Sequence, residues 1–395
     1  MRESSKPSPA EPRKVGINLL WMVPGVVGGS ETYTTRLLSG LAEQSSPDLR
    51  YTLFTLPQFS TAHPELAAEF DIAYAPVTGQ WKSFRVAGEN SWLGVQTRLK
   101  KIDLLHHAGG TTPLVHSARP VLTIHDLQYL FYPEYFTRTK LTWLRRMVPR
   151  SAEAARVVLV PSEFTRRTVI ERLNIDPSVV IVVPHGISPR EPRGPAPDLR
   201  DRYELGGPIF LYPAASYPHK NHLLLLEAFK KLLAVHPDAL LVLTGARAYM
   251  ESLTAKQMEA RIEEELKTLG IERSVRRLGF VPSDDLDALY QEAVATMFPS
   301  KFEGFGAPVL EAMSRGCPVV AANPTALPEV VSDHGLLVSP DNAEEWCESM
   351  SRLLEDDDLR TRLAKLGPER AREFTWARSA VILEDAYRHA LGTTL

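Results

Sequence analysis

One stretch constrains this chain more than any other: Phe298 to Val320 reads as strand, glycine loop, helix, turn, strand. Val294–Phe298 is a short apolar run, and Pro299-Ser300 ends it. Gly304 and Gly306 make a loop whose backbone can take positive φ and let a ligand come close. Pro308 suits the first turn of a helix, where its missing N–H costs nothing. Gly316 stops that helix, and Pro318–Ala322 starts the next strand. The free N–H groups at the helix start, aided by the helix dipole, form a site for phosphate. Glu303 precedes the loop and Glu311 lies about one turn into the helix, so a carboxylate can flank each side of a bound anion. Carboxylates repel phosphate but accept hydrogen bonds from sugar hydroxyls. A nucleotide sugar suits such a site; a plain βα turn carrying two surface glutamates is the simpler alternative.

Both halves of the chain have the same outline. The first opens with a strand at Val15–Trp21, a loop containing Gly25, Gly28 and Gly29, and a helix over Thr32–Gln44. Strands follow at Tyr51–Leu56, Asp103–His107 and Val121–Ile124, the last delivering His125-Asp126 at its carboxyl end, where ligands of open α/β sheets gather. His106, His107 and His116 read as loop residues near an acceptor. Thr137–Arg156 reads as a basic helix, a solvated face or a peripheral contact with an anionic membrane. Val157–Val160 is a strand, Ser162 caps the helix Glu163–Leu173, and Val179–Val183 ends at Pro184-His185-Gly186-Ile187. The proline-dense Ser188–Asp198 admits no regular element and divides the chain. Strands at Pro208–Pro213, Ala239–Thr244 and Ser274–Gly279 alternate with helices in the second half. The expected fold class is α/β, two doubly wound domains facing across a cleft. The expected boundaries are a disordered lead-in at 1–14, a first domain at 15–188, a linker at 189–200 and a second domain at 201–375.

Lys220 ends the first loop of the second domain, just before a helix. It is either a surface lysine or the point cation that a bound diphosphate needs. Other classes are disfavoured. A net charge of −3 gives no basic excess for nucleic acid. Cys317 and Cys347 lack metal-ligand spacing. The glycines Gly25, Gly28 and Gly29 do not form the G-x-G-x-x-G pattern of a dehydrogenase. Asp285-Leu286-Asp287 formally matches a metal-binding D-x-D, but it falls inside a predicted helix and reads as solvated charge. No apolar run approaches the roughly 18 residues of a membrane span, and the polar start lacks the apolar core of a signal peptide. The expected location is cytoplasmic, with a peripheral contact at the inner face of a membrane.

The segment Glu303–Glu311, with Gly-Phe-Gly between, resembles the glutamate-x7-glutamate motif of the retaining family-4 glycosyltransferases. Ala312-Met313, Gly316-Cys317-Pro318-Val319-Val320 and Leu327-Pro328-Glu329-Val330-Val331 are also similar to that family, as are Thr123–Leu127 with Phe131–Phe136, and Pro218-His219-Lys220-Asn221. The resemblance implies a GT-B fold of two Rossmann-like domains, with the last helix, 376–390, crossing back to the first. It implies that Glu303 faces the donor sugar and Glu311 the ribose hydroxyls. The backbone of Gly304, Phe305, Gly306 and Ala307 lines the sugar and diphosphate, and Lys220 holds the diphosphate. Gly28 and Gly29 close over donor and acceptor, and His125 sits beside the donor sugar. His125, Glu303 and Lys220 are the implied catalytic residues. The implied donor is a GDP- or UDP-hexose, mannose favoured, with no further cofactor and no metal. The implied acceptor is a glycan or lipid-linked sugar. One departure stands out: many members carry an arginine five residues before the lysine, where this chain has Ala215. An epimerase or hydrolase of sugar nucleotides on the same fold, and a binding subunit without turnover, are the alternatives.

Overall fold

The computed structural model describes residues 11–26, 28–44, 46–79, 81–115, 118–188, 198–245 and 253–392. The proline-dense divider at 189–197, the lead-in up to residue 10 and His116 lie outside the described residues.

Two parallel sheets organise the chain. The first contains β1 (Arg13–Asn18), β2 (Leu49–Thr55), β3 (Asp71–Tyr74), β4 (Leu104–His107), β5 (Arg119–Thr123), β6 (Val157–Val160) and β7 (Val180–Val182), in the order β3-β2-β1-β4-β5-β6-β7. The second contains β8 (Ile209–Pro213), β9 (Leu240–Thr244), β10 (Val275–Gly279), β11 (Ala293–Phe298), β12 (Val319–Ala322) and β13 (Leu336–Val338), in the order β10-β9-β8-β11-β12-β13. In both, the order reverses beside the first strand of the domain, between β1 and β4 and between β8 and β11. This switch opens a crevice at the carboxyl ends of the strands. The strands are near-continuous apolar runs because helices cover both faces: β6 and β12 are buried along their whole length.

The last helix, Trp376–Leu391, belongs structurally to the first domain. Ala380, Leu383, Ala386 and Tyr387 join the core built by Ile17, Leu38 and Leu53. Gly40 permits this docking, since a Cβ there would lie 2.7 Å from the carbonyl oxygen of Trp376. Tyr51 donates its hydroxyl hydrogen to Glu384 at 2.6 Å.

Four expectations are corrected. β1 starts at Arg13, inside the expected lead-in, because its first residues pair with Leu49 and Arg50. Leu199, expected in the linker, begins a helical turn and is 2% exposed in the second core. His106 and His107 are not loop residues but the buried end of β4. His106 bridges Tyr387 of the last helix (2.8 Å) and Thr123 of β5 (2.7 Å), and the Asn18 amide nitrogen lies 3.2 Å from Nδ1 of His107. Asp285 and Asp287 are not solvated: Arg202 and the Tyr203 hydroxyl donate to Asp285 at 2.6 and 2.5 Å, and Arg315 pairs with Asp287 at 2.7 Å.

Burial holds an unusual set of histidines neutral. It pushes His106, His185 and His222 down to about 3 and His125 to about 4, and it moves His219 the same way. In the unfolded chain these rings take up protons near 6.5. The unfolded state therefore binds more protons below that value, and stability falls as pH drops from about 6.5 toward 4. Burial raises three carboxyls, Glu89 to about 7 and also Asp126 and Glu329, and these act in the opposite direction, three groups against five. The urea midpoint should thus fall between pH 7.5 and pH 5, a window above ordinary carboxylate titration. His106→Gln should flatten the slope; a midpoint that does not change over this window would contradict the account.

Candidate functional site

The crevices of the two sheets face each other across a cleft of about 620 Å³. Gly28, Gly29 and His125 line it from the first domain, and Lys220, Glu303, Gly304, Phe305, Gly306 and Ala307 line it from the second. Most residues singled out from the sequence therefore converge on one space. Glu311 does not line it. It sits one turn along the helix Ala307–Ser314, where the Tyr290 hydroxyl approaches its carboxylate at 3.5 Å.

The local sequence explains the convergence. After β8, the loop leads into Pro218–Lys220 and then Asn221, which adopts the left-handed conformation (φ 61°) that asparagine tolerates. The Asn221 side chain donates to the carbonyls of Pro299 (3.2 Å) and Pro340 (2.7 Å). The Lys301 N–H donates to the His219 carbonyl at 2.7 Å. The loops after β8 and β11 are thereby tied together, and Lys220 Nζ meets Glu303 Oε1 at 2.6 Å. Both side chains are largely buried, 17% and 12% exposed. Gly306 takes φ 101°, a region closed to other residues in practice, and turns the chain into the helix Ala307–Ser314 with Pro308 in its first turn. That helix start opens on the cleft beside the ion pair, so a cation and a helix N-terminus face the same space.

His125 follows β5. Its Nε2 lies 3.0 Å from the Ala108 carbonyl oxygen, which can only accept. The proton is therefore on Nε2, leaving Nδ1 as an acceptor. With its pKa lowered to about 4 by burial, the ring is neutral at physiological pH. His125 can therefore accept a hydrogen bond at Nδ1 and cannot donate one from it. Asp126 lines the cleft next to it. Burial, then the nearby Glu303 carboxylate, raise its pKa.

Some participants escaped the sequence reading. His185, on the segment after β7, stacks on Phe305 (centroids 4.5 Å, 11° between planes) and packs on Tyr33 at 4.5 Å. The two domains are clasped at the glycine loop itself. The Gly304 carbonyl accepts from Ser162 Oγ (2.6 Å) and Thr165 Oγ1 (3.1 Å). Phe302 packs among Phe131, Phe164 and Tyr132 of the first domain at 5.2–6.0 Å. Glu329 accepts the N–H groups of Glu163 (3.0 Å) and Phe164 (3.3 Å), capping the helix Glu163–Leu173 from the other domain. Serine at a helix start signals a cap, but nothing in its spacing says that it also grips a distant loop.

Comparison with known proteins agrees with this geometry. Residues 27–191 match the family described as Glycosyltransferase Family 4, and residues 199–370 the one described as Glycosyl transferases group 1. The chain is 31% identical over 276 residues to the O-antigen chain mannosyltransferase B of Escherichia coli, covering 68% of this chain and 70% of that protein. It is 27% identical over 379 residues to the D-inositol 3-phosphate glycosyltransferase of Corynebacterium efficiens, covering 91% of this chain and 85% of that protein. The crystal structure of Anabaena Alr3699/HepE in complex with UDP-glucose superposes with a TM-score of 0.73 at 19% identity, covering 94% of this chain and 98% of that chain.

A side chain at Gly304 would collide with the His125 carbonyl oxygen across the cleft. Overpacking of this kind costs about 1–3 kcal/mol, and here it falls on the closed arrangement of the domains. Gly304→Ala should lower kcat roughly tenfold to a hundredfold. Nucleotide affinity, a property of the second domain, should change little. Steady-state kinetics with parallel calorimetry checks this, and an unchanged kcat would refute it.

Proposed function

The chain belongs to the family-4 and group 1 glycosyltransferases, enzymes that move a sugar from a nucleotide-linked donor, and from that premise we propose a retaining hexosyltransferase whose donor is a GDP- or UDP-hexose, with mannose favoured. The observation that carries the site assignment is the Lys220–Glu303 pair at 2.6 Å, set beside the start of the helix Ala307–Ser314. The preference for mannose rests on the likeness to the O-antigen chain mannosyltransferase. The acceptor is a glycan or lipid-linked sugar bound against the first domain.

In this reading the donor diphosphate takes Lys220 from Glu303, which turns its carboxylate to the sugar hydroxyls. The backbone from Gly304 to Ala307 receives the diphosphate. Glu311, deeper along the helix, is assigned to the ribose from its motif position. Gly28 and Gly29 close from the other side, and neutral His125 accepts from a sugar hydroxyl. An acceptor hydroxyl oxygen bonds to the anomeric carbon while the bond from that carbon to the phosphate oxygen breaks. The departing phosphate takes the acceptor's proton, so attack and departure share one face and the anomeric configuration is kept. Charge builds on the phosphate beside Lys220, where a fixed cation in a water-poor cleft is most effective. Lysine provides this countercharge, so the reading calls for no metal. Ala215 lines the same cleft without a charge, and among the described residues Lys220 is the second-domain cation that lines it.

Lys220→Ala should reduce kcat about 10²–10³-fold, the usual loss for one electrostatic donor at a developing charge. Glu311→Ala should weaken nucleoside diphosphate binding, whereas Glu303→Ala should spare binding and impair transfer. Equal turnover in the two glutamate variants would remove the assignment. A thermal-shift series with UDP-, GDP- and ADP-sugars identifies the donor, because a ligand at 100 times its dissociation constant adds about 2.7 kcal/mol of stability.

A further inference from the structure

A side pocket of about 210 Å³ opens from the cleft into the first domain. It shares His125, Asp126, Phe136 and Lys140 with the cleft and continues to Trp143 and Gly110. It therefore begins at the reacting centre and leads away from the donor's domain. Another hollow of the first domain, around Glu31 and His63, shares only Gly28 with the cleft among the described residues.

The lining of the side pocket is chemically specific. Trp143 and Phe136 offer aromatic surfaces. Lys82 Nζ lies 4.9 Å from the Trp143 ring centroid, and Lys140 Nζ lies 5.2 Å from that of Phe136. Lys140 and Trp143 are three residues apart on the helix Arg138–Ala154, so they share a face. Neither lysine meets a carboxylate at ion-pair distance among the described residues. The Lys82 pKa is lowered, first by burial and then by the charges of Lys140 and Arg85. Lys140 lines the pocket and Lys82 sits over Trp143 at its edge. The one carboxylate lining the pocket among the described residues, Asp126, feels Lys140 but its pKa is raised by burial, so the two cations together still leave room for an anion. Trp81 and Phe84, beside Lys82 in the chain, are 67% and 61% exposed.

We propose that this pocket holds the acceptor, and that the acceptor carries a phosphate which Lys82 and Lys140 bind above Trp143 while its sugar reaches His125. The inference rests on the transferase reading given above. The phosphate has two chemical sources, a soluble sugar phosphate or a phosphate-linked lipid whose chain runs out past Trp81 and Phe84. Charge-assisted hydrogen bonds recognise both in the same way.

The test uses the full chain with two probes: mannose 6-phosphate in solution, and phosphatidylcholine vesicles containing a polyisoprenyl phosphate. Mannose and pure phosphatidylcholine vesicles are the controls. One phosphate probe should bind where its control does not, and the double variant Lys82→Met/Lys140→Met should weaken it at least tenfold. Trp143→Ala should weaken it as well, with both charges intact. Binding of mannose 6-phosphate assigns a soluble acceptor, and binding of the doped vesicles a lipid-linked one. Failure of both probes, or equal binding by the double variant, overturns the proposal. A parallel loss of UDP or GDP affinity in the double variant also overturns it, because the lysines would then serve the donor. Nucleotide binding by the wild-type protein separates the two readings. If UDP and GDP fail to bind, the transferase site itself is misassigned; if one binds and the phosphate probes do not, only the acceptor inference falls.

Discussion

The arrangement depends on how closely two backbones approach at Gly304. Its carbonyl is held by two hydroxyls of the first domain, and its missing side chain lets it lie against the carbonyl of His125. The loop that presents Glu303 is therefore also the contact that sets the distance between the domains. Phe302, one residue before Glu303, supplies apolar area on one side of this contact, and Glu329 caps a first-domain helix on the other. A hydrogen-bonded carbonyl, an aromatic cluster and a charged cap all act within a few residues of the reacting centre. The contacts that hold the domains together are therefore also those that position Glu303.

The Lys220–Glu303 pair is the electrostatic counterpart. Two largely buried ions that attract each other across 2.6 Å are tolerable only together, since removal of one leaves the other charged and poorly solvated. In the proposed reading, a diphosphate exchanges one partner of Lys220 for another, and the released carboxylate finds new donors in the sugar. The surrounding histidines stay neutral because burial holds their pKa values down, so they add hydrogen-bonding capacity without adding charge.

Much of this was legible in the sequence because the signals are local. The strand–glycine–helix segment, the loop before Lys220 and the two-domain α/β outline each follow from short-range rules about glycine, proline and apolar runs. What failed shared one cause, dependence on a partner far along the chain. His106 and His107 read as polar loop residues, yet β4 carries them into the core. There His106 meets Tyr387 and Thr123, and Asn18 reaches His107. Asp285 and Asp287 read as solvated charge because Arg202 and Arg315 are distant in the sequence. Leu199 read as linker because its proline-rich neighbourhood hides the core it enters.

The sequence alone determined which chemistry the chain can carry. A glycine loop turning into a helix and flanked by glutamates is a local structure, and its backbone conformation follows from residue type. Only the tertiary structure decided that Lys220 reaches Glu303, and that Ser162 and Thr165 hold Gly304. Each of these is a contact between segments more than eighty residues apart. Such contacts are fixed by the packing of two sheets and the helix that ties the end of the chain to its beginning, and no local preference encodes them.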